Sequence, residues 1–426
     1  MSARTNGPEF TAPEMVNTLY QRSLGIGLLF GVISLITAIL PGTREQFFHS
    51  YLIGFMLWLG VTLGSMVILM IQHMTGGKWG MVIRRQLEAA MKCLPLMGAL
   101  FIPILVAGVP YLYSGDHSNP AHVTNGWFNA SKADGHLYDL SHAYMQRIGS
   151  PNFLYLNGYT GRAVIYFLIW FLFAYLLNRL SKQQDNPPVE NLAPRFRRIA
   201  APGLILYAFT ISFAVIDWVM SLSPPWISTI YGFIFIVGEV LSALCVAVIV
   251  ERILSNYEPT ASLLKAKEVH DHGKLILTFV MLWAYFSFSQ LLIIWAGNLP
   301  SEINFFTRRL YLGWQVVALA LVVFHFAVPF LLLLSRQFKR DAKTLVWLAS
   351  WLLFMRFVDL FWYIEPNFTQ RLSSLSWIHL LDIVVPIAIG GIWFAMFWRN
   401  LRSEPLLPVY DVHAQEFLEY VGAAHD

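Results

Sequence analysis

Cysteine is almost missing from this chain of 426 residues: Cys93 and Cys245 stand far apart and form no C-x-x-C pair. That excludes a disulfide framework and, with no C-x-x-C-H run, any covalently attached haem or self-held iron–sulfur cluster. Both thiols sit in or beside apolar runs, where they read as packing residues and reveal no redox compartment. Charge is scarce too. Asp, Glu, Lys and Arg make up 13% of the residues, against 57% hydrophobic and 15% aromatic, a balance far from that of soluble domains. No G-K-[ST] follows the paired glycines of HMTGGKWG, so these read as a tight turn, with Lys78 and Trp79 as interface anchors, and not as a phosphate cradle. No small-residue cleavage site follows the first apolar run, which is expected to act as its own insertion signal.

What the chain does have is long hydrophobic runs, with a mean hydropathy of +0.56. They extend over Leu24–Leu40, Phe47–Ile71, Lys92–Val109, Ala163–Leu180, Ala200–Met220, Ile227–Ile249, Leu275–Trp295, Leu310–Leu334, Thr344–Tyr363 and Ser376–Phe397. Most reach the ~20 residues a spanning helix needs. Lipid offers no partner to free backbone groups, so these runs must be helical. The expectation is an all-α integral membrane protein of ten transmembrane helices. It divides into an N-terminal segment 1–23, a membrane domain 24–397 with a long outer loop 110–162, and a tail 398–426.

Lys and Arg gather in the second, fourth, sixth and eighth loops, as at Arg84, Arg85, Arg197, Arg198, Lys265, Lys267, Lys339 and Arg340. Positive loops stay inside, so both termini are expected in the cytoplasm, and the net charge of +4 needs no nucleic acid to explain it. The outer loop carries His117, His122, His136 and His142 at spacings of no standard metal site. A solvated or partner-covered loop is the simpler account. VHDHGKL before the seventh span offers an H-x-H pair or, more simply, a capping Asp in a solvated loop. The tail, with Asp411, Glu416, Glu419 and Asp426, shows no chemistry.

Short repeats hint at duplication. Gly54, Phe55 and Gly60 align with Gly232, Phe233 and Gly238, and VIDWVMSL in span five parallels FVDLFWYI in span nine. The spacing predicts two four-helix bundles, spans two to five and six to nine, plus a flanking pair.

Inside the spans stand Asp217, Glu239, His325, Arg356, Asp359, His379 and Asp382. Charge at that depth is costly and marks ion, proton or substrate paths. Helical spacing puts Tyr207, Thr210 and Asp217 on one stripe of span five, and Glu239 with Ser242 on span six. Span seven offers Thr278, Tyr285 and Ser289, and span eight Tyr311, Gln315 and His325; each stripe is expected to face inward. Glu239 and His325 fall near mid-span and the other five in the outer half, a distribution suited to a proton half-channel, with Tyr207, Thr210, Ser242 and Gln315 ordering water. Arg356 with Asp359, and His379 with Asp382, also fit simple mutual neutralisation. Both roles are open at this point. A b-type haem is disfavoured because His325 and His379 lie at different depths.

Over much of its length the sequence then carries a family likeness. QHMTGGKWG with RRQLEAAMKCLPLMGALFIPIL, AVIDWVMSLSPPWISTIYGFIFIVGE, and HDHGKLILTFVMLWAYFSFSQLLIIWAGNLP together resemble the F subunit of bacterial alternative complex III, a relative of the NrfD-type polysulfide-reductase membrane subunits. The outer loop matches least. The resemblance implies a subunit of a quinol oxidoreductase that delivers electrons to cytochrome c or another periplasmic acceptor, in a bacterial cytoplasmic membrane. Its implied partners are a multihaem cytochrome c, an iron–sulfur protein, a sister ten-helix NrfD-like subunit and smaller membrane subunits. Haem c and iron–sulfur clusters would belong to those partners, menaquinone or ubiquinone to the complex, and no cofactor to this chain. The resemblance assigns Asp217, in the DW signature, to a proton half-channel. Glu239, His325, Arg356, Asp359, His379 and Asp382 join it from the stripes alone. Two other classes stay open: a subunit that binds quinone itself, near His379 and Asp382, and a stand-alone proton-coupled transporter.

Overall fold

The computed structural model describes residues 10–40, 42–113, 158–189, 191–223, 226–258, 260–311, 313–368 and 379–422. The four outer-loop histidines lie outside them. The described residues are almost wholly helical and contain ten helices long and apolar enough to cross a membrane. These are α1 (Met15–Ile39), α2 (Arg44–Thr75), α3 (Trp79–Leu112), α4 (Tyr159–Gln183), α5 (Ala193–Leu222), α6 (Tyr231–Leu254), α7 (Ala266–Gly297), α8 (Trp314–Leu334), α9 (Ala342–Asn367) and α10 (Leu381–Leu401). The chain is a multi-pass membrane protein by this architecture.

Local chemistry sets the ends. Gly76 and Gly77, both at positive φ, turn the chain between α2 and α3. Asp341 caps α9 by accepting from the Lys343 amide at 3.1 Å. Asn298, left-handed, closes α7. α8 widens to π geometry over Leu321–Ala327. Pro329 explains this, since it lacks the N–H that would bond the His325 carbonyl and its ring crowds that carbonyl.

α2 and α6 form the centre and are buried along nearly their whole length. They lie against each other; α2 also meets α3, α5 and α10, while α6 meets α5, α7 and α9. α4 joins α3 and α5, and α8 joins α7 and α9. Small residues allow the central contact: a Cβ on Gly64 would lie 2.2 Å from the Glu239 carbonyl oxygen, the close approach typical of membrane helix pairs. α1 rests on α10 and turns Leu28, Leu29, Val32 and Leu35 outward.

Several sequence expectations change. The inward face of α7 is His272, Ile276, Val280, Trp283 and Gln290, whereas Thr278 and Tyr285 are exposed. On α8 it is Trp314, Val317, Leu321 and His325, whereas Tyr311, before the helix, and Gln315 are exposed. Small polar residues did not mark the packed face because hydroxyls that bond their own backbone, as Thr278 bonds the Lys274 carbonyl, sit comfortably outside. VHDHGKL lies within the first turns of α7, where buried His272 bonds the Trp79 carbonyl through Nε2 and sets Nδ1 against the Glu251 carboxyl, each at 2.8 Å. α3 begins thirteen residues earlier than the apolar run, so Arg84 and Arg85 are buried helical residues, not loop charges.

Those arginines organise the face where the tail returns. Glu88 accepts from Arg84 at 3.1 Å, Arg85 at 2.9 Å and Ser181 at 2.7 Å. Arg84 also bonds Asp411 at 2.7 Å and Gln184, while Arg85 pairs with Asp185 and reaches Glu404, to which Lys92 also binds. The tail, in which the sequence shows no chemistry, is thereby docked, and its helix Val412–Gly422 seats Ala414 and Phe417 in a small apolar cluster with Met81 and Leu263. Burial holds the Asp185 carboxyl above its usual range, with Arg85 pulling the other way.

Candidate functional site

Glu239 stands a third of the way along α6, buried between α2 and α5. The Tyr207 hydroxyl donates to its Oε2 at 2.5 Å, and Oε1 has no partner among the described residues. One residue earlier, Gly238 leaves a notch that the Arg356 guanidinium of α9 fills: a Cβ there would lie 2.3 Å from Arg356 Cζ. The same guanidinium lies 5.2 Å from the Phe235 ring centroid, a cation–π distance. Arg356 thus reaches the helix carrying Glu239 while its Nη1 pairs with Asp359 on its own helix.

Asp359 extends the line. Its Oδ2 also accepts from Trp283 Nε1 at 3.2 Å, and Oδ1 has no partner among the described residues. The Trp283 ring lies 4.3 Å from that of His325, whose two buried nitrogens make no hydrogen bond of standard geometry among the described residues. Tyr207, Glu239, Arg356, Asp359, Trp283 and His325, from five helices, form one buried polar line. Its unpartnered oxygens and imidazole are what a packing role leaves unexplained, because a buried polar atom without a partner costs free energy.

The other expected residues lie elsewhere. Asp217 accepts from Arg162 at 2.8 and 3.1 Å and from Tyr166 at 3.0 Å. Thr210 accepts from Trp170 Nε1 at 2.9 Å. Asp382 ties α10 to α2 through Ser50 at 2.5 Å and Gln46 at 2.9 Å, and accepts from the His379 amide at 2.9 Å. His379 itself is exposed before the first turn of α10, not inside the span, and Gln315 accepts from the Gly313 amide at the start of α8. No family model matches this chain, and no curated protein matches it. Function must therefore be argued from these residues.

Two participants went unnoticed in the sequence. Trp283 had only its position on the apolar face to mark it. Arg309, in the helix Pro300–Leu310 between α7 and α8, is fully buried and donates to the carbonyls of Phe305, Trp362 and Tyr363 and to Asn367 Oδ1. Burial pushes its guanidinium down to about 9, so it is still a cation at neutral pH.

Asp217→Asn tests whether that carboxylate is chiefly a tether. The amide keeps shape but loses the charge-assisted bonds, and Arg162, 22% exposed, regains some water. The expected loss is about 1–3 kcal/mol of stability, measured as a lower thermal midpoint in detergent. An unchanged midpoint would return Asp217 to the proton-path candidates.

Proposed function

We propose that this chain is a subunit of an alternative complex III-type respiratory quinol oxidoreductase in a bacterial cytoplasmic membrane, and that its buried polar line is a proton half-channel. The observation that carries the second part is Glu239, a carboxylate buried within α6 and bonded to one tyrosine, its other oxygen unpartnered among the described residues, at one end of a line of titratable groups. The first part rests on the resemblance of the sequence motifs. The contacts of α2 to α5 with one another, and of α6 to α9, support two four-helix bundles sharing the α2–α6 seam, with α1 and α10 as the flanking pair. The basic even-numbered loops support cytoplasmic termini. In this proposal Asp359 lies toward the outer face, and protons move between it and Glu239 past Arg356. The multihaem cytochrome c, the iron–sulfur protein and the sister subunit carry the electrons.

Gentle detergent purification tests membership. Haem absorbance and iron–sulfur protein in fixed ratio to this chain are expected; a lone chain would sink the proposal in favour of a transporter. In the reconstituted complex, Tyr207→Phe removes the hydroxyl on Glu239. Proton release per electron is then expected to fall several-fold with subunit ratios unchanged. Normal release would remove Tyr207 from the path.

A further inference from the structure

Between α7, the helix Pro300–Leu310, α8 and α9 lies a cavity of about 670 Å³, within the size range of small-molecule sites. Its walls are apolar, with Phe305, Phe306, Leu321 and Phe326 among them. Tyr285, Phe288, Leu319 and Val322 line it and are exposed, so it opens on the surface that lipid covers. Gln290, Asp359 and Trp362 are among the polar side chains that line it nine-tenths buried or more, at 3%, 0% and 8% exposed. Among the described residues, neither Gln290 amide atom, nor Asp359 Oδ1, nor Trp362 Nε1 has a hydrogen-bond partner.

The polar atoms select the occupant. An acyl chain would fill the apolar walls and leave all of them unsatisfied, at a cost for each. A phospholipid headgroup would bring a phosphate to the Asp359 carboxylate. The complementary ligand is a flat apolar ring whose oxygens both donate and accept, with a hydrocarbon tail that leaves through the mouth. We propose that this cavity binds a bilayer-soluble quinol, its head on Gln290, Asp359 and Trp362. A quinol hydroxyl donates to Asp359 Oδ1, and a ring oxygen accepts from Gln290 Nε2 or Trp362 Nε1. Binding alone is assigned, with no electron transfer in this chain. The location matters because Asp359 belongs both to the cavity and to the line that leads through Arg356 toward Glu239.

The choice of a quinol among such ligands rests on the proposed function, whereas the site rests on the cavity. The test uses the full chain in phosphatidylcholine nanodiscs, titrated with ubiquinone-1 and menaquinone-2, each oxidised and reduced, by equilibrium dialysis and tryptophan quenching. Saturable binding is expected in the unaltered chain, weakened on the order of tenfold by Gln290→Leu and abolished by Ala318→Phe, which fills the cavity. Circular dichroism and elution volume check that each variant folds; if Gln290→Leu does not, Ala318→Phe decides. Absence of saturable binding, equal binding by unaltered and cavity-filled chains, or a co-purifying phospholipid that neither quinone displaces would overturn the proposal. Scored on the isolated chain, it can fail while proton release in the complex still depends on Glu239, and the reverse.

Discussion

Glu239→Gln is expected to lower proton release by the assembled complex by on the order of tenfold or more, with subunit ratios and thermal stability nearly unchanged. The amide matches the carboxylate in shape, its oxygen can keep the bond from Tyr207, and its NH₂ occupies the place of the unpartnered Oε1. What it cannot do is take up and release a proton. The Gly60 and Gly64 contacts on α2 and the Arg356 notch at Gly238 involve the backbone and stem of α6, which the substitution leaves alone. A small structural effect with a large functional one is the mark of a relay carboxylate. Asp359→Asn makes the contrast. Arg356 would lose its only acidic partner among the described residues, so stability and proton release are expected to fall together. Proton stoichiometry measured in vesicles checks both, and unchanged stoichiometry in Glu239→Gln would remove this residue from any proton route.

How far these sites were legible in the sequence differs by the physics involved. Ten helices were visible because a bilayer-length apolar run has few other fates, and the inward polar stripe of α5 and α6 was visible because the ionisable Asp217 and Glu239 mark it. Glu239 and Tyr207 fell on adjoining stripes, and the structure joins them. The inward face of α7 was not legible, since Trp283 and Gln290 resemble their lipid-facing neighbours in composition and only the tertiary partners Asp359 and His325 distinguish the first of them. The cavity was hidden for the same reason: it exists only between elements. Asp217 stood out through its DW context, yet the sequence held no sign that Arg162, at the edge of the long outer loop, would reach back to it.

Arg84 and Arg85 are the sharpest case, because RRQLE reads as loop charge until residues far along the chain come to meet it. Glu88 is the hinge of that network, and its replacement by Leu is expected to destabilise the protein by about 3–5 kcal/mol, the cost of breaking a buried ion pair from one side. Arg84, Arg85, Lys92 and Lys182 face Glu88, Asp185, Glu404 and Asp411, four cations against four anions. Leucine would leave one positive charge in excess where Arg84 and Arg85 are almost sealed from water, and would remove the acceptor of the Ser181 hydroxyl proton. Glu88→Gln should cost less, since its oxygen still accepts from Arg84 and Ser181. Because Asp411 and Glu404 lie in the returning tail, the weakened network should also release the helix Val412–Gly422. The checks are the thermal midpoint in detergent and the rate of proteolysis after Leu401. A midpoint shift in Glu88→Leu no larger than in Glu88→Gln would mean that the charge balance is not what holds this face together.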